Sequence, residues 1–282
     1  YYHEYFSILT KEAKIHGLNE GFTPQGMTYY DNYFITAGYM NDNSSSRIYL
    51  TDRNSKVVKY YELTSNNTIF NGHTGGLQFH KDYFYLANEG NEIYKFSADF
   101  LSQESGTKVE IGNPIKVYPN ASFVFSKDNY IYIGEFHKNP EYPCLNIIEH
   151  NNTKHFAIVE KYDESDLSKP IALYSIPERI QGFCIKDDGT IILSRSWSVN
   201  SSYFYVYEKS DIIKLDHQYK NTDVYFLGEP TKIIKAPAMS EDLDTFLDEE
   251  GNEKVLTVFE SACNKYIFGK LFFANYIASL NL

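Results

Sequence analysis

One unit of apolar and polar positions recurs five times along the chain: a short apolar strand, a polar turn with Asp, Asn or Gly, and a second apolar strand ending on a polar residue. The first copy runs through Gln25-Gly26-Met27, the turn Asp31-Asn32 and residues 34–39. The second has His73-Thr74-Gly75-Gly76-Leu77, the turn Lys81-Asp82 and residues 84–89. The third has Ala121-Ser122-Phe123, Lys127-Asp128-Asn129 and residues 130–135. The fourth reads Gln181-Gly182-Phe183, Asp187-Asp188-Gly189 and 191–195, and the fifth Met239-Ser240-Glu241, Glu249-Glu250-Gly251-Asn252 and 255–260.

Asp, Asn and Gly tolerate the positive φ that a tight hairpin needs, so each copy predicts an antiparallel pair. A further alternating run follows each pair, at 47–50, 92–96, 155–162 and 203–207, which raises each unit to three or four strands. The second strands end at Tyr39, Glu89, Glu135, Arg195 and Glu260, at spacings of 50, 46, 60 and 65 residues. Blades of about 40 to 50 residues with insertions have such periods. Helical periodicity is hinted at only in 240–247 and after Glu260.

Radial repetition of four-stranded units predicts an all-β chain, a five-bladed β-propeller over residues 1–282. Residues 275–282 supply only one late strand, while 5–10 alternate without a partner in the first blade. The N-terminal strand is therefore expected to complete the last blade and close the ring, which removes two exposed edges. A six-bladed ring is the alternative, with a degenerate blade in 102–118 or 210–235.

Composition sharpens this picture. The 26 Tyr, 20 Phe and 1 Trp favour pleated, half-buried surfaces. With 26 basic and 37 acidic residues the formal net charge is −11, which argues against a nucleic-acid partner. No apolar run reaches the roughly 18 residues of a spanning helix. A monomer is expected. Cys144, Cys184 and Cys263 form no CxxC pair and read as buried free thiols. The sequence opens on Tyr1, as a mature form would, and Asn43, Asn66, Asn120, Asn151 and Asn200 open N-x-Ser/Thr sequons. Both features lead to the expectation of a secreted or extracytoplasmic protein.

The phrases Pro24-Gln25-Gly26-Met27, His73-Thr74-Gly75-Gly76, Ser194-Arg195-Ser196, Met239-Ser240-Glu241 and Phe259-Glu260-Ser261-Ala262 resemble blade signatures of secreted bacterial-type β-propeller proteins of unassigned activity. More distantly, the chain resembles the lactonase and strictosidine-synthase-like propellers, whose central channel holds calcium. It departs from that group in blade count and lacks its Asn-rich ligand set.

Ends of inner strands converge at one mouth of a propeller channel. Aligned first strands place Gln25, Gly75, Ala121, Gln181 and Glu241 in one ring, and aligned second strands place Tyr39, Glu89, Glu135, Arg195 and Glu260 in another. A slip of one residue would turn each side chain to the other face. Glu89, Glu135, Glu260 and His73 are the candidate acids and bases, with Arg195, Gln25, Gln181, Tyr39 and Trp197 as substrate contacts. Arg195 suggests an anionic ligand. Glu89, Glu135, Glu241 and Glu260 are candidate ligands for Ca²⁺ or Mg²⁺, or for a transition metal if His73 or His137 joins them. The acidic run from Glu241 to Glu250 lacks EF-hand spacing and reads as a solvated loop. No GxSxG, HExxH, Walker or GxGxxG motif and no nucleotide-cofactor signature is present. The functional expectation is a small-molecule enzyme, a metal-assisted hydrolase or an acid/base lyase or isomerase. The alternative is a non-catalytic propeller that binds a carbohydrate or other ligand through aromatic loops such as Tyr39, Phe136 and Trp197.

Overall fold

A computed structural model describes residues 1–269 and 274–282. Five antiparallel sheets form its blades. From the inside outwards, blade 1 is Phe22–Tyr30, Tyr33–Met40, Arg47–Asp52 and Val57–Ser65. Blade 2 is Gly76–His80, Tyr83–Ala87, Glu92–Ser97 and Ile115–Lys116. Blade 3 is Phe123–Lys127, Tyr130–Gly134, Ala157–Asp163 and Pro170–Ile176. Blade 4 is Ile180–Ile185, Ile191–Arg195, Ser202–Tyr207 and Lys232–Ala236. Blade 5 is Ser240–Leu247, Glu253–Phe259 and Tyr276–Leu280, closed by Leu9–Lys14 from the N-terminus.

Each innermost strand contacts the innermost strands of both neighbouring blades, so the ring closes. The approach is tight because glycines permit it. A Cβ on Gly26 would lie 2.7 Å from the Leu77 amide nitrogen, and one on Gly76 would lie 2.7 Å from that of Val124. The hairpin turns carry the left-handed backbone expected of them, with φ of 51° and 64° at Asp31-Asn32 and 43° and 67° at Lys81-Asp82. Between the blades the aromatic side chains fill the core, Phe84, Phe123, Phe125, Phe183 and Phe204 among them.

The closing strand starts later than expected. Residues His3–Ile8 form a short helix, and its Tyr5 is buried against Phe204 and Phe259, at 6.0 Å between centroids for the latter. Pairing with the last strand runs from Leu9 opposite Leu280 to Lys14 opposite Tyr276. The stretches considered for a sixth blade add outer strands instead. Lys108–Glu110 pairs parallel to the outer strand of blade 1, and the hairpin Ile213–Tyr219 and Thr222–Phe226 extends blade 3.

Two readings of the fifth unit need correction. Ser240–Leu247 is the innermost strand of blade 5, not a helix, and Glu241, Asp242 and Asp244 in it are buried, not solvated. The physical reason is their position at the axis, where donors from other blades meet them. Asp242 Oδ2 accepts the backbone amides of Met27 at 3.2 Å and Leu77 at 3.0 Å. Asp244 Oδ2 accepts from Thr28 Oγ1 at 2.8 Å and Gln78 Nε2 at 2.9 Å, and Gln78 Oε1 accepts from the Ser126 amide at 3.1 Å. A buried polar network thus laces blades 5, 1, 2 and 3 across the axis. Only the later part of the run, Asp248 to Glu250, lies in a hairpin turn. The short helix expected after Glu260 is present as 3₁₀ turns, Glu260–Ala262 and Asn264–Gly269.

Candidate functional site

A cavity of about 1080 Å³ opens at the axis. Gln25, Gln181 and Glu241 reach it by a shared device. The ladder of the inner hairpin shifts register between Pro24 and Gly26, between Ile180 and Gly182, and between Ser240 and Leu243. Each shift is a β-bulge, which takes a residue out of the pairing and re-aims its side chain. No signal in a sequence read by strict alternation marks such a bulge.

The structure brings most of the expected residues together. Gln25, Gly75, Gln181 and Glu241 from the first ring line the cavity, as do Tyr39, Glu89, Glu135 and Glu260 from the second, with His73 and Trp197. Ala121 is replaced by its neighbours Asn120 and Ser122. Arg195 is the exception. It is not among the lining residues and binds Glu178 at 3.2 Å, while Ser196 takes the lining position. Alternation explains this, because Ser194 and Ser196 face Ser240 of blade 5 and Arg195 therefore points the other way. The expectation of an anionic ligand loses its arginine.

Two carboxyl groups stand at the centre of the cavity wall. Glu241 is buried beside Glu260, and burial together with the Glu260 charge raises its pKa well above the usual carboxylate range. A buried carboxyl next to a second acidic group is disfavoured in its ionised form by desolvation and by the like charge. The Tyr39 hydroxyl donates to Glu260 Oε1 at 3.1 Å, and burial and the Glu260 charge push its pKa up as well. Tyr266 also lines the cavity, and its phenol is pushed up to about 12, chiefly by burial and next by the Glu260 charge. The His73 ring stacks on Tyr39 with centroids 5.4 Å apart, and its Nε2 lies 3.9 Å from Glu89 Oε1. Met239 and Glu89, both lining residues, hold left-handed backbone at φ 66° and 62°, a strain that side-chain-bearing residues adopt where the surroundings enforce it.

Glu135 plays a different part from the one expected of a free acid or base. Its carboxylate accepts from the amides of Asn120 at 3.2 Å and Ile158 at 3.1 Å and from Asn146 Nδ2 at 2.8 Å, so it ties together the wall of blade 3. Burial nevertheless pushes its pKa up to about 7. His137 is likewise committed, with Nδ1 accepting the Cys144 amide at 2.8 Å, and burial lowers its pKa. Among the described residues no three or more His, Cys, Asp or Glu are placed as a metal-binding group. Glu135, one of the expected ligands, is instead taken up by amides. The cysteines are free and buried, as their spacing indicated.

One residue stands out by what it lacks. Gln25 is fully buried, yet neither Nε2 nor Oε1 has a hydrogen-bond partner among the described residues. Most buried amides are paired, so an exception in a cavity wall stands out. Across the ring from blade 1, blades 3 and 4 contribute an aromatic wall. Phe136 stacks on Trp197 with centroids 5.9 Å apart, and Tyr142 meets them edge-on at 5.8 and 6.0 Å.

No protein-family model and no curated protein matches the sequence. Among solved structures, the chain is similar to the glutaminyl cyclase of Myxococcus xanthus, at a TM-score of 0.52 and 6% identity over 96% of this chain and 92% of that one. It is also similar to the PQQ-bound aldose sugar dehydrogenase of Streptomyces coelicolor (TM-score 0.47, 11% identity, 89% and 80% covered). A third likeness is to the WD40 domain of Toxoplasma gondii coronin (TM-score 0.43, 8% identity, 89% and 68% covered). The Myxococcus likeness is one of fold, that of a bacterial β-propeller. At 6% identity it shows the fold alone, so function has to be argued from the site.

Proposed function

We propose that this propeller is a small-molecule enzyme whose cavity performs acid/base chemistry. The observation that supports the reading is the Glu241–Glu260 pair, two neighbouring acidic residues at the wall of a cavity large enough for a substrate, the buried Glu241 with its pKa raised well above the carboxylate range. Such a pair splits the roles that proton transfer needs. Glu260, the more accessible partner, takes a proton from the substrate, with the buried Glu241 beside it. Tyr39, donating to Glu260, holds the carboxylate in place and follows its charge. His73 beside Glu89 offers a second group for the opposite transfer. The reaction classes in reach are those limited by proton movement, namely elimination, isomerisation and acyl or lactone hydrolysis. Glutaminyl cyclisation, for which the Myxococcus neighbour is named, is also of this proton-transfer kind.

The test has two parts. A ¹³C NMR titration of glutamate carboxyls should find one of the pair still protonated at pH 7, and two ionised signals would refute the reading. A mass-spectrometric screen of lactones, β-hydroxy acids and N-terminal glutaminyl peptides should find a compound consumed by the wild type. Glu260→Gln should slow that conversion by about 100-fold or more, the usual worth of a general base. Non-catalytic ligand binding is the second reading, favoured by the Phe136, Tyr142 and Trp197 wall, and binding without turnover would select it.

A further inference from the structure

An asparagine followed by glycine closes readily to a cyclic imide, because a glycine amide nitrogen has no side chain beside it to shield it and its backbone turns freely. The sequence holds one such pair, Asn71-Gly72, in the loop that leads from blade 1 into blade 2. Asn71 is exposed and lines the axial cavity. Its Nδ2 reaches only the Asn43 carbonyl, at 3.5 Å, the outer limit of a hydrogen bond. Position 72 has to stay glycine, since a Cβ there would lie 2.0 Å from Asn88 Oδ1 and 2.5 Å from the Phe70 ring. Packing in this loop therefore keeps a chemically labile pair in the cavity wall.

Ring closure needs the nitrogen of the following residue as nucleophile, and the fold decides whether that nitrogen is free. Among the described residues the Gly72 N–H donates to nothing, while the Gly72 carbonyl accepts from Ser46 Oγ at 2.7 Å. Comparable pairs elsewhere are held. The Ser44 N–H after Asn43 donates to Asp42 Oδ1 at 2.9 Å, and the Ser55 N–H after Asn54 donates to the Asp52 carbonyl at 3.1 Å. In the Asp188-Gly189 turn the Gly189 N–H donates to the Lys186 carbonyl at 2.9 Å, and Asp188 Oδ1 accepts the Thr190 amide at 2.9 Å. An amide committed in this way becomes a nucleophile only after its hydrogen bond opens. Of these four pairs, the structure leaves the nitrogen of Gly72 uncommitted and holds the other three.

We propose that Asn71 is a spontaneous deamidation site that adds a negative charge to the axial cavity as the protein ages. A base takes the Gly72 N–H proton, the nitrogen bonds to Asn71 Cγ, the Cγ–Nδ2 bond breaks, and the side-chain NH₂ leaves with a proton from water as ammonia. Water then opens the five-membered imide at either of its carbonyls, which gives aspartate or isoaspartate, and nothing is oxidised or reduced. The product places a carboxylate in a wall already lined by Glu89, Glu241 and Glu260, and like charges in one site favour protonation of their neighbours. Isoaspartate also lengthens the main chain by one methylene beside Gly72, where the packing against Asn88 and Phe70 is tight. None of this depends on the cavity being catalytic.

Incubation of the folded protein at pH 8 and 37 °C in ¹⁸O-labelled water, followed by peptide mapping in ordinary water, tests it. The peptide containing Asn71 should take up one ¹⁸O, appear as an aspartate and isoaspartate doublet, and be matched by an acidic isoform one charge below the formal −11. Its rate should be about the same in the folded protein and in the urea-unfolded chain, because no hydrogen bond has to open first. At Asn43, Asn54 and Asp188 the folded protein should be slower than the unfolded chain by about five- to tenfold, the worth of the hydrogen bond that holds each nitrogen. Asn71→Gln should remove the label from its peptide, since ring closure from the longer side chain is slow. Label at position 71 in the unfolded chain only would show that the fold protects the pair and would overturn the proposal. An equal ratio of folded to unfolded rates at all four pairs would overturn it as well, because commitment of the amide would then not be what selects Asn71.

Discussion

Asp242→Ala probes how the ring is held at its axis. Asp242 Oδ2 accepts amides from two foreign blades, Met27 at 3.2 Å and Leu77 at 3.0 Å, and Oδ1 accepts its neighbour Leu243 at 3.0 Å. These bonds are buried, so alanine strands two cross-blade donors where water does not replace the acceptor. A buried donor left unpaired costs about 1–3 kcal/mol, which puts the substitution at about 2–6 kcal/mol. Relief from burying the carboxyl, whose pKa burial raises well above the carboxylate range, offsets part of this. Asparagine retains one oxygen for the two cross-blade amides but sets its NH₂ against the Leu243 N–H, for a cost of about 1–2 kcal/mol. At roughly 2 °C per kcal/mol for a chain of this size, the melting temperature should fall by about 4–12 °C for alanine and about 2–4 °C for asparagine. Thermal unfolding followed by circular dichroism at pH 6 measures both. A shift under about 1 °C for alanine, or an equal loss in the two variants, would mean that inter-blade hydrogen bonding is not what Asp242 contributes.

Three more outcomes are expected. Deleting residues 1–14 removes the Tyr5 anchor and the whole closing strand, so it should lower the melting temperature by more than about 10 °C or prevent soluble folding, and a loss within about 2 °C would refute closure by this strand. Burial pushes Glu135 up to about 7 and Asp244 up to about 6, so the native state binds protons more tightly than the unfolded one. Their contribution is complete below about pH 4 and is lost as pH rises through 6 and 7. The urea midpoint should accordingly fall between pH 5 and pH 8, with Glu135→Gln flattening the upper part, and a rising midpoint contradicts the assignment. The three cysteines are buried, with the Cys144 thiol pushed up to about 12 by burial, so an aromatic disulfide reagent should find no reactive thiol in the native protein and three in urea.

The hairpin turns were legible because Asp31-Asn32 and Lys81-Asp82 sit at positions where backbone geometry admits few residue types, and a turn announces itself locally. Blade count followed from those turns. The axis was not legible in the same way. Alternation reports which face of a strand meets water, and the innermost strands meet neighbouring blades on both faces. In Ser240–Leu247 this produced Glu241, Asp242 and Asp244 within five residues, a pattern that reads as a polar helix or loop until the donors from blades 1 and 2 that meet the two aspartates are in view. Arg195 was misplaced for a related reason. Its blade carries a bulge at Gln181, so matching one ring of first-strand residues did not fix which second-strand neighbour, Arg195 or Ser196, faced the cavity. The role of Glu135 depended on amides of Asn120 and Ile158, which no side-chain pattern reveals.

The seam of the ring has a consequence for how the protein bears force. Leu9 pairs with Leu280, and the Asn281 amide extends the ladder to the Ile8 carbonyl at 3.0 Å, so the segments leading away from the two strands depart from the same end of their shared ladder. Tension applied between them loads one hydrogen bond at a time, starting at Leu9 and Leu280, and opens the pair as a zipper. Had the segments departed from opposite ends, the same bonds would have resisted in shear, all at once. The blade that makes the propeller thermally complete is thereby its softest point under a pull on the ends, and a cross-link between positions 9 and 280 would shift rupture from this seam to the interior of a blade.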